Sequence, residues 1–148
     1  FLHHDGIKER LFDAILPSEE GWPLKFEKAS FDILYYFFEK LLATGGSLVV
    51  ESPFLSTRDT AIFRKFQEQY HPNVVQILCT ADPKKLSVRL VERHNTKERH
   101  PVHFDPTRKT LPAKKHLIDI KGEPYIFDTT DLDQIDYTPI YGLVEKYL

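Results

Sequence analysis

The chain has 148 residues, of which 41% are hydrophobic, and its net charge is −2. This size suits one domain with a substantial core, and the small net charge excludes a general polyanion binder. No stretch approaches the roughly 18 apolar residues of a membrane span, and no signal peptide is visible, so we expect a cytoplasmic protein.

Strand-like and helix-like segments alternate along the chain, as judged from the period of their apolar residues. The predicted strands are 1–5, 47–54, 73–80, 116–120 and 124–130, and the predicted helices are 6–15, 31–43, 56–70, 82–94 and 136–148. This alternation predicts one α/β domain over residues 1–148 with a parallel sheet.

Polar residues mark the expected starts of three helices. Ser30 is the predicted N-cap of the second helix, which is apolar nearly all round and should be buried. Ser56 and Asp59 form a Ser-x-x-Asp capping pattern for the third helix. Asp82 is the predicted N-cap of the fourth helix, with Pro83 at its first position.

The third predicted strand carries the one cysteine of the chain. Its run VVQILC is predominantly apolar, which is typical of a strand buried on both faces of a parallel sheet. Cys79 is therefore expected in the core. In the helix that follows, Leu86, Leu90 and Val91 are expected to face inward.

Positive charge is concentrated between residues 84 and 116. This window holds ten Lys/Arg against three Asp/Glu, a charge of +7 that leaves −9 on the rest of the chain. Lys85, Arg89 and Arg93 recur every four residues, and Arg99 follows. Like charges one helical turn apart repel by roughly 0.2–0.5 kcal/mol, so this concentration of charge indicates a local anion site.

Two interpretations of the basic helix stay open. Arginines at i and i+4 project from one face and can fork around adjacent phosphate oxygens, which favours a phosphate clamp. The alternative is a solvated surface helix, although such a helix usually interleaves acids and this row holds none.

Asp5 stands where the first predicted strand meets its helix. Ligands of open α/β sheets bind at the carboxyl ends of the strands, so Asp5 could act as the base for a substrate hydroxyl. Lys8, one turn further on, could hold an anion beside it. The alternative is that Asp5 only caps the helix.

Glu51 ends the apolar run LVVE. A carboxylate in this place resembles the Walker B pattern, which serves magnesium or water, although many buried strands end in an acid. His100, His103 and Asp105 also lie close together in the sequence. Their spacing does not match that of known zinc sites.

Four stretches together resemble the latter four-fifths of a P-loop kinase: HHDGIKERLF, GGSLVVESPF, VVQILCTADPKKLSVRLVERHNTKERHP and YIFDTTD. Their order and spacing are similar to those of polynucleotide 5′-hydroxyl kinases, zeta-toxin-type kinases and related small-molecule phosphotransferases. The most specific part combines the third strand, Asp82-Pro83, and the arginines 89, 93 and 99. The resemblance implies a three-layer parallel sheet of the P-loop, nucleoside-kinase-like type.

The resemblance also implies a role for each matching residue, with ATP as the phosphoryl donor and Mg²⁺ as the cofactor. Asp5 would activate the acceptor hydroxyl, Lys8 stands where the family often has a substrate-binding arginine, and Glu51 would serve the metal. Lid arginines within residues 84–116 would close over the ATP phosphates, and Arg89 and Arg93 among them would be catalytic. The implied nucleotide-binding residues are Arg89, Arg93, Arg99, Asp128, Thr129 and Thr130.

One element of that family is absent from the 148 residues, namely the Gly-x-x-x-x-Gly-Lys-Ser/Thr loop that cradles the phosphates. Because the chain begins with Phe1 and has no methionine, we expect a fragment whose first strand and P-loop lie ahead of FLHHD. The family places that strand centrally in the sheet. The fragment would then close the gap, borrow a strand, or expose two edges, which would favour self-association.

Three functions stay open from the sequence. The first is part of an ATP-dependent kinase that phosphorylates a hydroxyl of a small molecule or a nucleic-acid end, and that is inactive as this fragment alone. The second is a non-catalytic α/β module that binds a nucleotide or another anion. A nucleic-acid stacking platform is disfavoured, since Phe104 is the one aromatic residue of the basic block. The third is a purely structural α/β fragment.

Overall fold

A computed structural model of the chain describes residues 1–15, 22–95, 100–103 and 113–147. These residues form two compact units. The first comprises the described residues of 1–53 and 100–108, and the second those of 54–99 and 109–148. The assignment of the whole chain to one domain stays a prediction.

The first unit contains two helices and a two-stranded parallel sheet. Its elements in chain order are β1 (Leu2–His3), α1 (His4–Ile15), α2 (Trp22–Leu42), β2 (Val50–Glu51) and a 3₁₀ turn (Pro101–His103). β1 pairs with β2 so that His3 lies opposite Glu51. The buried apolar side chains of this unit are Phe26, Phe31, Leu34 and Val102.

The first helix begins earlier than the sequence predicts. α1 starts at His4, so Asp5 lies in the first helical turn rather than at the end of a strand. The Gly6 amide donates to Nδ1 of His3 at 3.1 Å, so His3 provides the capping acceptor. A side chain at position 6 would collide with that ring, which explains the glycine. The capping alternative for Asp5 is therefore not what the structure shows.

Ser30 lies inside α2 and is not an N-cap, so this prediction was wrong. The helix begins eight residues earlier, at Trp22. Ser30 is fully buried and donates its hydroxyl proton to the Glu27 carbonyl one turn back at 2.8 Å. Serine tolerates a helix interior when its hydroxyl is satisfied in this way.

The second unit contains three helices and a longer parallel pair of strands. Its elements in chain order are α3 (Ser56–Tyr70), β3 (Val75–Thr80), α4 (Pro83–Asn95), a 3₁₀ turn (Ala113–His116), β4 (Glu123–Asp128), a 3₁₀ turn (Leu132–Gln134) and α5 (Thr138–Glu145). β3 and β4 pair from Val75–Glu123 to Thr80–Asp128. The buried apolar side chains of this unit are Phe63, Phe66, Ile118 and Phe127.

The mixed α/β class with parallel pairing is confirmed. However, each sheet that the described residues form has two strands rather than the several of the predicted three-layer sheet. Two-stranded sheets bury little on their faces. Cys79, expected in the core, is consequently exposed. No described helix is both long and apolar enough to cross a membrane.

The apolar side chains of α4 do not face a core, contrary to the sequence prediction. Leu86 and Leu90 are each 39% exposed, and Val91 is 61% exposed. Helical periodicity predicts that these residues share a face, but burial also needs an element that covers the face. In the second unit these side chains are therefore only partly covered.

Two predicted helix starts had different outcomes. The Asp82 carboxylate accepts hydrogen bonds from the amides of Lys84 (2.9 Å) and Lys85 (3.1 Å), which confirms this N-cap. Ser56 is instead the first helical residue of α3, after Leu55 in an extended conformation. Asp59 reaches back to accept from the Leu55 amide at 2.6 Å. The capping pattern thus places its acid correctly and its serine wrongly.

The predicted strand 116–120 is not a strand. Its backbone is bound instead by the side-chain amide of Gln76, which accepts from the Ile118 amide (3.2 Å) and donates to the Ile118 carbonyl (3.1 Å). Gln67 bonds both backbone groups of Lys121 in the same manner. Two glutamine side chains therefore replace the neighbouring strand.

Candidate active site

Asp5 is the centre of the candidate site in the first unit. Its Oδ1 atom lies 3.6 Å from Nδ1 of His4 and 3.9 Å from Nδ1 of His103. Its Oδ2 atom accepts no hydrogen bond from the described residues. The side chain is 57% exposed. One oxygen thus lies beside two imidazoles while the other is open to an incoming group.

The carboxyl group of Asp5 is ionised at neutral pH. The His4 imidazole lowers the pKa of Asp5 from its ordinary 3.8 to about 2, and the charges of His103 and Lys8 act in the same direction against partial burial. Its place in the first turn of α1 also favours the anion, because the helix dipole is positive there.

Three acids follow one face of α1 at intervals of four residues: Asp5, Glu9 and Asp13. His103 Nε2 lies 2.8 Å from Glu9 Oε1, and His100 Nε2 lies 3.0 Å from Asp13 Oδ1. Two histidines from within the basic window 84–116 are therefore bound to this acidic row. The four-residue spacing of the acids was readable from the sequence, but their partners, some 90 residues away, were not.

Lys8 contacts an acid of the second helix. Its Nζ lies 2.7 Å from Glu27 Oε2, and its side chain is only 11% exposed. This ion pair ties α1 to α2. In this structure the Lys8 ammonium therefore already has an anionic partner, and its role in substrate binding stays a prediction.

Glu51 lies at the carboxyl end of β2, opposite His3. Asp5 follows β1 by two residues, so the parallel register puts both acids at the same edge of the sheet. Glu51 is exposed. No group of three or more possible metal ligands exists among the described residues, so a metal site built from protein ligands alone does not fit this edge.

The carboxyl ends of β3 and β4 form a second cluster, in the other unit. The Thr129 amide and hydroxyl both donate to the Thr80 carbonyl, at 2.7 and 2.9 Å. The Thr130 hydroxyl donates to Asp128 Oδ1 at 2.6 Å and accepts from the Asp82 amide at 2.8 Å. The Thr130 hydroxyl and amide together lower the pKa of Asp128. Residues 128–130 are thus bonded to the connection between β3 and α4.

Arg89 joins α4 to this loop. Its Nη1 donates to the Thr129 carbonyl and its Nη2 to the Thr130 carbonyl, each at 2.8 Å. The structure therefore brings together four of the predicted nucleotide-binding residues, Arg89, Asp128, Thr129 and Thr130. It also gives the guanidinium two protein acceptors, so that an arginine expected to close over phosphates here stabilises the loop.

Of the other two predicted lid arginines, the structure describes only one. Arg93 is exposed on α4, and Arg99 lies outside the described residues. Lys84, Lys85, Val88, Arg89 and Glu92 line an open depression of about 350 Å³. The depression carries three cations against one acid, which suits a small anion.

The fold of this chain is similar to that of a known protein. It aligns with the 1.70 Å crystal structure of a "putative kinase" from Chloroflexus aurantiacus J-10-fl, with a TM-score of 0.85 and 28% sequence identity. The alignment covers 99% of this chain and 83% of that one. No family model and no curated protein matches the chain. The likeness supports a kinase fold and a kinase-like function in general.

Proposed function

We propose that this chain is part of an ATP-dependent kinase of the P-loop type, close to the polynucleotide-kinase and zeta-toxin group. It would transfer the γ-phosphoryl group of ATP to a hydroxyl of a small molecule or a nucleic-acid end. The observation that carries the proposal is the Asp5 carboxylate, with one oxygen beside two imidazoles and the other open. The fold likeness to a "putative kinase" supports it.

The chemistry assigned to Asp5 is proton acceptance. The acceptor O–H bond breaks as a new O–P bond forms to the γ-phosphorus, the proton passes to the Asp5 carboxylate, and ADP leaves. A carboxylate with a pKa of about 2 is a weak base. It suffices here because phosphoryl transfer runs through a loose transition state and depends mainly on positioning and charge.

The positive charge of the basic block would stabilise the charge that develops on the phosphates. Arg93 and Arg99 are the proposed lid arginines. Arg89 would hold the loop of Asp128, Thr129 and Thr130 beside the nucleotide, and would reach the phosphates only by exchanging its two carbonyl acceptors for phosphate oxygens.

The residues at this sheet edge suit a magnesium ion that is held partly by the protein and partly by the substrate phosphates. Mg²⁺ in kinases is usually held by one or two carboxylates together with the substrate phosphates, and seldom by a cage of protein ligands. The exposed carboxylate of Glu51 at the sheet edge could supply the protein ligand, and the ATP phosphates would supply the others. When bound, the ion would neutralise phosphate charge.

The proposal requires a phosphate-binding loop that residues 1–148 do not contain. It also requires a central strand to complete a three-layer sheet, since the described sheets have two strands each. Unpaired strand edges can also recruit a second copy of the chain, and self-association is therefore part of the proposal.

The test is phosphoryl transfer by a longer polypeptide in which residues 1–148 follow such a phosphate-binding segment. Label from γ-³²P-ATP with Mg²⁺ would be followed onto nucleosides, sugars and 5′-hydroxyl oligonucleotides. Asp5→Asn should abolish transfer and leave ATP binding near normal. Asp13→Asn, two turns further along α1, is the matched control. Normal transfer by Asp5→Asn would remove Asp5 from the mechanism.

A second candidate function is anion binding without catalysis. The observation that favours it is the pairing of Arg89 with two backbone carbonyls, which leaves the depression on α4 as a small basic site. In this case ATP, pyrophosphate and phosphate would bind to wild-type chain and to Asp5→Asn alike, and no acceptor would be labelled by either.

A further inference from the structure

His4 is a buried imidazole, only 1% exposed, to which the proposed function gives no role. It occupies the first position of α1, next to the candidate base. Buried titratable groups cost stability unless they are paired. The contacts of each ring atom therefore indicate what the residue does.

Two contacts fix the orientation of the His4 ring. Its plane stacks on Phe31, with 3.9 Å between ring centroids and an interplanar angle of 27°. Its Nε2 lies 2.7 Å from Ser30 Oγ. Ser30 is itself fully buried and held by the Glu27 carbonyl at 2.8 Å. The ring is thus held at one face and at one nitrogen by groups that are themselves fixed.

The second nitrogen of the ring is the unusual one. Nδ1 is buried and has no hydrogen-bond partner among the described residues. It lies 3.6 Å from Asp5 Oδ1, roughly 0.5 Å beyond normal hydrogen-bonding distance. Asp5 is more than half exposed, so its carboxylate can move that far while the buried imidazole cannot.

We propose that His4 is a positioning residue for Asp5. With a proton on each ring nitrogen, His4 donates Nε2–H to Ser30 Oγ, whose own proton goes to the Glu27 carbonyl, and Nδ1–H to Asp5 Oδ1. Asp5 Oδ2 is then the oxygen that faces the acceptor hydroxyl. This inference rests on the proposed function of Asp5. His103, in the 3₁₀ turn Pro101–His103, places its Nδ1 3.9 Å from the same oxygen, so a second imidazole also lies beside Oδ1. The depressed pKa of Asp5 agrees with a donor beside Oδ1.

Two substitutions separate the two nitrogens of the ring. His4→Gln places its amide near the former Nε2 and keeps a group for Ser30, but nothing faces Asp5. His4→Asn places its amide near the former Nδ1 and keeps the group that faces Asp5. We expect the Asp5 pKa, followed by NMR of the ¹³C-labelled carboxylate, to rise from about 2 towards 3.8 in His4→Gln and to stay low in His4→Asn.

Two further measurements test the His4 inference even if a His4 variant, or wild type at low pH, unfolds. Ser30→Ala removes only the hydroxyl that holds the ring, and it should also raise the Asp5 pKa. At pH 7, Asp5→Asn should shift the ¹⁵N resonance of His4 Nδ1 in the otherwise unchanged chain. His100→Gln, which alters an imidazole bound to Asp13, is the control and should leave the titration of Asp5 as it is.

The same variants in the longer polypeptide test the catalytic consequence. His4→Gln should lower kcat for transfer at least tenfold with little change in KM for ATP, and His4→Asn should recover part of the loss. If Asp5→Asn abolishes transfer while His4→Gln and Ser30→Ala leave the Asp5 pKa and kcat unchanged, the His4 inference is overturned and the proposed function stands. If Asp5→Asn transfers normally, Asp5 is not the base, and the catalytic purpose of His4 fails with it. If the wild-type polypeptide labels no acceptor, the proposed function itself fails.

Discussion

His103 and Glu9 are joined by a hydrogen bond of 2.8 Å between Nε2 and Oε1, across 94 residues of sequence. The His103 side chain is only 8% exposed, so this contact is protected from water. It binds the segment at residues 100–103 to the acidic row of α1. Part of the positive stretch therefore serves the fold of the first unit, whatever the remainder does for a ligand.

Breaking this contact should loosen the first unit. Glu9→Gln removes the carboxylate and leaves His103 with a weaker neutral acceptor, so we expect a loss of about 1–2 kcal/mol in the free energy of unfolding. Asp32→Asn, an exposed acid on α2, is the control and should change stability by less than about 0.5 kcal/mol. Urea denaturation measures both, and equal midpoints for the two variants would contradict the assignment.

Asp5 should make stability depend on pH in acid. Because the pKa of Asp5 is lower in the folded chain, about 2, than its ordinary 3.8, the folded state binds this proton less readily than the unfolded state. The stabilisation is present in full above pH 3.8 and is lost as pH falls from there through about 2.

Asp5→Asn removes this one titration and leaves the other carboxylates in place. The stability difference between wild type and Asp5→Asn should therefore be largest near neutral pH and should narrow as pH falls below about 4. Urea midpoints at a series of pH values give the difference directly. A constant difference from pH 7 to pH 3 would show that the pKa of Asp5 is ordinary.

Arg89 should contribute to the stability of the second unit as well as to any nucleotide site. Arg89→Ala leaves the carbonyls of Thr129 and Thr130 without their charged donor, and such losses cost about 1–3 kcal/mol. Lys85→Ala, one turn earlier and exposed, is the matched control and should be nearly neutral. Chemical denaturation compares them, and an Arg89→Ala variant as stable as Lys85→Ala would mean that Arg89 is free for a ligand.

The sequence was informative where structure is decided locally. Asp82 and Pro83 predicted the start of α4 because a cap depends on three or four consecutive residues. Ser30 misled, because a serine that caps a helix and one that bonds the preceding turn within a helix look alike in sequence. The inward face predicted for Leu86 and Leu90 failed for another reason. Periodicity defines a face, whereas its burial depends on elements far away in the chain.

The candidate site likewise divides into features decided by local sequence and features decided by distant residues. Asp5 could be found from its place after a strand, and the charge row of α4 from its spacing. The pairing of α1 with His100 and His103, and the contact of Arg89 with Thr129, are long-range and left no mark in any local pattern. The orientation of the His4 ring depends on Ser30, which local rules had predicted to be a helix N-cap.

Gln76 is expected to hold the backbone of the segment that follows the 3₁₀ turn Ala113–His116. Gln76→Ala would leave the Ile118 amide without its acceptor in a partly buried place, at a cost of about 1–3 kcal/mol, while the Ile118 carbonyl keeps the Ile120 amide as a donor at 3.1 Å. Gln69→Ala is the matched control, since Gln69 is an exposed residue of α3 whose side-chain amide donates to the Tyr70 hydroxyl at 2.9 Å. Hydrogen exchange at the Ile118 amide should accelerate in Gln76→Ala alone. Unchanged protection there would show that another group satisfies Ile118.

Residues 1–148 by themselves should bind ATP weakly. Tight binding of a triphosphate needs a cradle of backbone amides and a lysine, and this sequence has no such loop. Among the cations available to the phosphates, Lys84 and Lys85 lie on an open depression, and Arg89 already has two carbonyl acceptors. Exposed charges of this kind are screened at physiological salt, so we expect a Kd on the order of millimolar or worse. Calorimetric titration with ATP and Mg²⁺ measures it, with Lys85→Ala as the variant that should weaken even this binding. A micromolar Kd would show that these residues hold a phosphate cradle of a different design, and the need for an additional phosphate-binding segment would disappear.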